Sequence, residues 1–352
     1  MATPSKPPTP SSSPSPFDAV LIISFGGPQG LHEIRPFLQN VLRGRRLPPE
    51  RVDQVAHHYE LFGGVSPLTD LTERQAAALA TQLEARNLPL PIYIGMRNWR
   101  PLLGQTLRAM REAGVTRAIG LIVAAHHSYS SCTQYRHNVL EARSTAAREA
   151  GAFDATPEIV YTGGWHLHDG FIEATADRIE VARATLSPAV RDRARIVFTA
   201  HSIPVSMAHA ETYQRELRES AAAVAARLKT DDWTLVYQSR SGRPQDPWLE
   251  PDVNDYLRAA REEGVTAVIL SPIGFVCDHI EVLYDLDVEA KATCDELGLA
   301  MARAISVNDH PRFIDALADA IAATVDRYKA GRPLPIVSAD TPNSMELPPP
   351  VS

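Results

Sequence analysis

Arg195–Pro204 reads RIVFTAHSIP: a short, nearly continuous apolar run, then a histidine, a serine, an isoleucine and a proline. A run of this kind, without polar alternation, suits a parallel strand buried on both faces. Seven further runs share the pattern. They are Ala19–Phe25 (AVLIISF), Pro91–Gly95 (PIYIG), Ala118–Ala124 (AIGLIVA), Glu158–Tyr161 (EIVY), Trp233–Tyr237 (WTLVY), Ala267–Ser271 (AVILS) and Met301–Ser306 (MARAIS). Amphipathic stretches separate them: Asp70–Arg86, Leu102–Ala113, Tyr135–Ala150, Gly170–Leu186, Thr212–Leu228, Val253–Glu263 and Pro311–Tyr328. In Asp70–Arg86 an Asp and a Thr are placed to cap the helix, and Ala and Leu keep to one stripe. Alternating strand and helix over some 300 residues specifies an α/β protein with right-handed crossovers. The runs divide into two sets of four, so the expected architecture is two Rossmann-like lobes, each a parallel sheet flanked by helices. A substrate cleft is expected between them. The expected lobes are residues 17–165 and 166–330, with the last helix free to pack on the N-terminal lobe. No close internal repeat relates the two halves.

The ends read differently. Twelve of the 28 prolines lie in residues 1–16 and 331–352, and both segments are expected to be disordered Pro-rich tails. The start has no apolar core typical of a secretory signal. With no apolar run near the ~20 residues that cross a bilayer, no transmembrane segment is expected. The 352 residues carry 35 basic and 42 acidic side chains, a net charge of −7. That balance argues against nucleic acid as a partner. Three cysteines, Cys132, Cys277 and Cys294, exclude a disulfide scaffold and fit a reducing, cytoplasmic setting. The 44% hydrophobic content supports a substantial core.

Open parallel sheets bind ligands beyond the carboxyl ends of their strands, so the residues following each run are the candidates for chemistry. Phe25-Gly26-Gly27-Pro28-Gln29-Gly30 follows the first run. It is not a dinucleotide loop, and a plain tight turn is the simpler reading. His201 follows RIVFTA; a proton acceptor, a metal ligand and a hydrogen-bonded structural histidine all fit that position. After AVILS comes PIGFVCDHIEVLYDLDVEA, Pro272–Ala290. A helix starting at Asp278 places Glu281, Asp285 and Glu289 at i, i+4 and i+8, three carboxylates on one stripe. Such oxygen donors suit passage of a divalent cation; a solvated acidic face is the bland alternative. The apolar neighbours of Glu281 suggest burial and a raised pKa. His126 and His127 follow another strand, and His57 and His58 adjoin Tyr59. His166 and His168 read as surface histidines. There is no HExxH, paired CxxC or P-loop.

Several segments together resemble the ferrochelatase family, whose members insert ferrous iron into a porphyrin. They are FGGP (Phe25–Pro28), HYELFGGVSPL (His58–Leu68), YIGMRNWRP (Tyr93–Pro101), AHHSYSSCTQYR (Ala125–Arg136), FTAHSIP (Phe198–Pro204), YQSRSGRPQDPWLEPDV (Tyr237–Val253) and SPIGFVCDHIEVLYDLDVEAK (Ser271–Lys291). The resemblance runs over Phe17–Tyr328, in order, and implies two chelatase-like lobes around a porphyrin cleft. It implies that His201 faces the macrocycle and that Glu281 opposes it, both catalytic and both able to touch the metal. Asp285 and Glu289 continue the metal path. A neutral imidazole can take a pyrrole proton; of proton acceptance and iron ligation, the former is favoured for His201. Bending the ring exposes its nitrogen lone pairs, and such strain can draw about 1–5 kcal/mol from remote binding.

The short stretch from Arg43-Gly44-Arg45-Arg46 to Phe62-Gly63-Gly64-Val65-Ser66-Pro67 has no insertion, and so resembles the branch acting on coproporphyrin III. The resemblance implies substrate contacts from Phe25, Arg43, Ser66 and Tyr135, since guanidinium and hydroxyl groups suit propionates. It implies Fe2+ as the substrate metal, a product of coproheme, and transient contact with neighbouring heme-pathway enzymes. Three departures stand out. Phe25 lies where some members carry a metal-binding Tyr, and His58 lies where some carry Arg. No cysteine follows Cys294, so no iron–sulfur (2Fe–2S) cluster is expected. The alternatives are the same chemistry on protoporphyrin IX and a non-catalytic tetrapyrrole carrier. A two-lobed solute-binding protein would need a secretory signal.

Overall fold

The computed structural model describes residues 15–43, 48–151, 156–241 and 245–332. Most of both proline-rich ends, and Arg45 and Arg46, lie outside them. Eight strands form two four-stranded sheets. In the first, β1 (Ala19–Ser24), β2 (Ile92–Met96), β3 (Arg117–Ile122) and β4 (Glu158–Tyr161) lie in the order β2-β1-β3-β4. In the second, β5 (Arg195–His201), β6 (Trp233–Gln238), β7 (Ala267–Ser271) and β8 (Ala300–Arg303) lie in the order β6-β5-β7-β8. Every pairing is parallel. The two lobes therefore repeat one winding order although their sequences show no repeat. In each sheet the chain lays its second strand on one side of the first and its third on the other. The crevice outside the carboxyl ends of the first and third strands is the switch point where ligands bind.

Alternation within a buried strand explains why the runs carry no polar rhythm. Val20 and Ile22 of β1 face one core, while Ala19, Leu21 and Ile23 face another. In β5, Ile196 and Phe198 join the first core, while Val197 joins a third. Successive side chains point to opposite faces, and helices cover both, so each face must be apolar. The main core is shared between the lobes. The helix Pro311–Lys329 packs against the helices Leu68–Ala85 and Asp169–Arg183 and against β3. Its stripe of Phe313, Leu317, Ile321 and Val325 is buried, and Tyr328 meets Phe17 edge-on at 5.0 Å.

Strand and helix positions expected from the sequence are present, with ends that coincide or shift by at most three residues. The largest shifts are at the C-terminal ends of β8, Ala300–Arg303 against the expected Met301–Ser306, and of the helix Asp169–Arg183 against the expected Gly170–Leu186. The helix expected over Asp70–Arg86 begins at Leu68, and Pro67 rather than a hydroxyl or carboxylate side chain stands at its cap. Two helices of eight or more residues lie outside the expected stretches, Ile34–Val41 and Pro49–Leu61. They build a small core of Ile34, Phe37, Leu38, Ala56, Tyr59 and Trp99, and Ile280 from the second lobe completes it. Among the described residues no helix is long and apolar enough to cross a membrane.

Candidate active site

The residues that end β1, β5 and β7 converge where the winding order places a binding crevice. Beyond β1, Gly27 lies against Ser66: a Cβ on Gly27 would stand 2.5 Å from the Ser66 Cβ. The loop after β1 and the Gly63–Ser66 loop are thus pressed together rather than forming an isolated turn. The Ser66 amide donates to the Pro28 carbonyl at 2.9 Å, and Gln29 Nε2 donates to the Ser66 carbonyl at 3.0 Å. Ser66 itself is buried. Phe25 packs on Phe37, with ring centroids 6.3 Å apart. The Arg97 guanidinium lies 6.0 Å from the Phe25 ring and 5.7 Å from the Tyr135 ring. Burial pushes the Tyr135 phenol up to about 12 against the opposing pull of Arg97. Arg43 is exposed and donates to Asn40 Oδ1 at 2.9 Å. Asn40 in turn donates to the Asn98 carbonyl at 3.1 Å, linking the Arg43 end of its helix to the loop after β2.

His201 closes β5 opposite Gln238 of β6. Its Nδ1 lies 2.5 Å from the Ser202 carbonyl oxygen. A carbonyl only accepts, so Nδ1 carries the hydrogen and Nε2 keeps its lone pair. Among the described residues Nε2 has no hydrogen-bond partner. The imidazole is therefore held in the tautomer with its hydrogen on Nδ1 and its free lone pair on Nε2.

The segment after β7 departs from the expected helix in three ways. Helix begins at Ile280, not Asp278. Asp278 does not cap it; its carboxylate is buried and takes hydrogen bonds from Arg303 Nη1 and Asn308 Nδ2, each at 2.9 Å. The amide of Asp278 donates to Asn308 Oδ1 at 2.9 Å. Arg303 also reaches Asp287 at 2.6 Å, so this network anchors the loop to β8. Leu283–Ala290 then continues as a π-helix, a rare winding often found at functional sites.

Burial also falls on a different carboxylate. Glu281 is exposed; the apolar residues around it in sequence point into cores and leave it outside. Asp285 is the half-buried member of the ridge. It accepts from Gln238 Nε2 at 3.1 Å and from Ser239 Oγ. Desolvation pushes its pKa from 3.8 up to about 7, helped by Glu281 and Glu289 and opposed by those two hydrogen bonds. Because Gln238 stands beside His201 in the sheet, Asp285 is tied directly to the strand ends that present the histidine. Glu289 is held above its ordinary value by desolvation and by Asp252, against Tyr284 and Arg51.

The eight expected site residues thus occupy two neighbouring groups. His201, Asp285 and Glu289 belong to the second lobe. Phe25, Arg43, Ser66 and Tyr135 belong to the first. Glu281 stands between: its charge acts on Tyr59, Tyr135 and His58 of the first lobe and on His279 and Asp285 of the second. Among the described residues His201 and Glu281 share no hydrogen bond or ion pair, but both act on His279. Burial lowers the His279 pKa; Glu281 and Asp278 raise it, and His201 lowers it further. The sequence named His279 inside a motif without giving it a role, and Arg97 was missed in the same way. The signal for Arg97 is its place just after the β2 run, in the same crevice as Phe25. His166 and His168 are not free surface histidines: His166 Nε2 pairs with Glu219 Oε2 at 3.0 Å, and His168 Nδ1 accepts from Gly170 N at 3.1 Å as a helix cap. Among the described residues no three His, Cys, Asp or Glu side chains are already gathered as a metal cage.

Comparison with known proteins agrees with this geometry. Residues 17–325 match the family model described as Ferrochelatase. A protein of Mycobacterium ulcerans named Coproporphyrin III ferrochelatase is 48% identical over 300 residues, 84% of each chain. One of Rhodopirellula baltica named Ferrochelatase is 45% identical over 86% of this chain and 84% of its own. Among solved structures, SirB from Bacillus subtilis with Fe3+ superposes with a TM-score of 0.52 at 12% identity, covering 89% of this chain and 97% of its own. That likeness speaks for the shared two-lobed fold. With the family model spanning nearly the whole described body, and relatives close to half identical over most of their length, this chain belongs to the ferrochelatase family.

Proposed function

We propose that this chain is a coproporphyrin III ferrochelatase, a cytoplasmic enzyme that inserts Fe2+ into coproporphyrin III to give coproheme. The observation that carries the mechanism is the tautomer of His201: Nδ1–H is committed to the Ser202 carbonyl and Nε2 is left as a base. Metal insertion exchanges one Fe2+ for two pyrrole protons, so a proton acceptor must meet the macrocycle. His201 Nε2 takes the two protons in turn, releasing the first to solvent before it accepts the second. The Gln238–Asp285 link stands next to it. Asp285, with a pKa of about 7, is half-protonated near neutrality. It gives up its proton when a dication approaches, because a nearby positive charge favours the carboxylate. Glu289, Asp285 and Glu281 in that order lead Fe2+ from solvent to the face opposite His201.

On the first lobe, Arg43 and the hydroxyls of Ser66 and Tyr135 meet propionates, which are anionic and accept hydrogen bonds. Phe25 supplies an apolar wall and, lacking an oxygen, does not ligate iron. Arg97, lying over Phe25 and Tyr135, adds a second cation suited to a carboxylate. Several relatives close to half identical carry coproporphyrin III in their names, and this supports the choice of substrate. Turnover of coproporphyrin III and of protoporphyrin IX with Fe2+ is the test. We expect coproporphyrin III to have the higher kcat/KM; a clear preference for protoporphyrin IX overturns the assignment.

A further inference from the structure

Glu281 is exposed, and among the described residues it makes no hydrogen bond or ion pair. Its position is therefore set by its backbone, and the backbone is held at two neighbouring points. Ile280, one residue before, is buried in the first-lobe core of Ile34, Phe37, Leu38, Ala56, Tyr59 and Trp99. Tyr284, three residues after, stacks on His58 of the helix Pro49–Leu61, with ring centroids 3.5 Å apart and planes 11° from parallel. We propose that the His58–Tyr284 stack is a positioning clasp: it bridges the lobes and holds the Glu281 turn against the first lobe while the second lobe presents His201.

The stack sits where this control is needed. Tyr284 is the second residue of the π-helix, a rare winding that is frequent at functional sites. A change of this winding to α-helix would rotate Glu281 relative to Asp285. Arg51, on the same helix as His58, acts on both His58 and Glu289, so the two elements stay close along the ridge. With centroids 3.5 Å apart and planes nearly parallel, the two rings cover one another's faces at van der Waals contact. Neither ring has to touch the reacting atoms, so the pair acts through Glu281.

The proposal rests on the reading of Glu281 as a participant in metal insertion. The test is steady-state kinetics of the full chain with Fe2+ and coproporphyrin III, together with thermal melting and porphyrin fluorescence quenching. We expect Tyr284→Leu and His58→Ala each to lower kcat about tenfold, the effect of a lost positioning contact, with porphyrin KM within about twofold. Tyr284→Phe and His58→Phe keep a planar ring and retain at least about half of kcat. The double variant His58→Ala/Tyr284→Leu falls no further than either single one, because the stack is one unit. His58→Phe as slow as His58→Ala assigns the effect to an imidazole nitrogen and overturns the clasp. Full kcat in Tyr284→Leu, a porphyrin KM rising in step with the loss, or multiplying losses in the double variant also overturn it. If Tyr284→Leu fails to fold, the His58 pair decides alone. Glu281→Gln with wild-type kcat would instead count against the reading of Glu281.

Discussion

Replacing Asp285 by asparagine removes a charge that the fold holds at a cost. The carboxyl is moved from 3.8 to about 7 by desolvation, with Glu281 and Glu289 adding to it. A change of this size disfavours the ionised form by roughly 4 kcal/mol. The sign follows from linkage. The folded pKa lies above the unfolded one, so stability from the protonated form is complete below about pH 4. It is lost progressively as pH rises through about 7. Asp285→Asn cannot ionise and escapes this loss. Chemical denaturation of both proteins at about pH 5 and about pH 8.5 should show the variant gaining roughly 2–3 kcal/mol on wild type between the two conditions. Wild type already bears part of the loss at the lower pH, which is why the difference falls short of the whole. The same variant should insert iron slowly at neutral pH, since it offers the dication no carboxylate. A stability gap that stays constant with pH, or narrows as pH rises, refutes the burial argument.

Two further substitutions probe the scaffold. Gly27→Ala places a methyl 2.5 Å from the Ser66 Cβ; forcing the loops apart should cost about 1–3 kcal/mol in denaturant unfolding and weaken porphyrin binding by fluorescence titration. A cost too small to resolve would mean that the loops yield freely. Arg303→Met leaves the buried Asp278 carboxylate without its cation; with Asn308 and Ser306 still donating, a loss of about 3 kcal/mol is expected, checked by urea titration, together with a lower kcat from a loosened Glu281 loop. An unchanged midpoint would show that Asn308 and Ser306 suffice.

The fold was largely legible because it rests on one simple signal. Runs such as AVLIIS and AVILS are apolar on both faces, and only sheets covered on both sides require that. The helices Ile34–Val41 and Pro49–Leu61 carry mixed faces: half of the second is charged or imidazole, and its burial is made by Ala56 and Tyr59 against a core that Ile280 completes from 220 residues away. Local pattern cannot announce such a partner. His201 was readable from its place at a strand end, but its tautomer needed the Ser202 carbonyl in view. The carboxylate ridge was readable as a spacing, whereas its burial was not. The expectation placed burial on Glu281 from its apolar sequence neighbours, yet those neighbours fill cores on either side, and it is Asp285 that faces Gln238 and Ser239. The role of Asp278 was hidden for the same reason, since Arg303 and Asn308 reach it only after β8 is laid beside β7.

The most direct measurement compares wild type and His201→Ala for two properties at once: porphyrin affinity by fluorescence quenching and Fe2+ insertion by the absorbance of the metallated product. We predict that the variant binds coproporphyrin III within a few-fold of wild type and inserts iron at less than about one-hundredth of its rate, the contribution of a positioned general base. Iron insertion at the wild-type rate in His201→Ala would contradict the assignment of Nε2 as the proton acceptor.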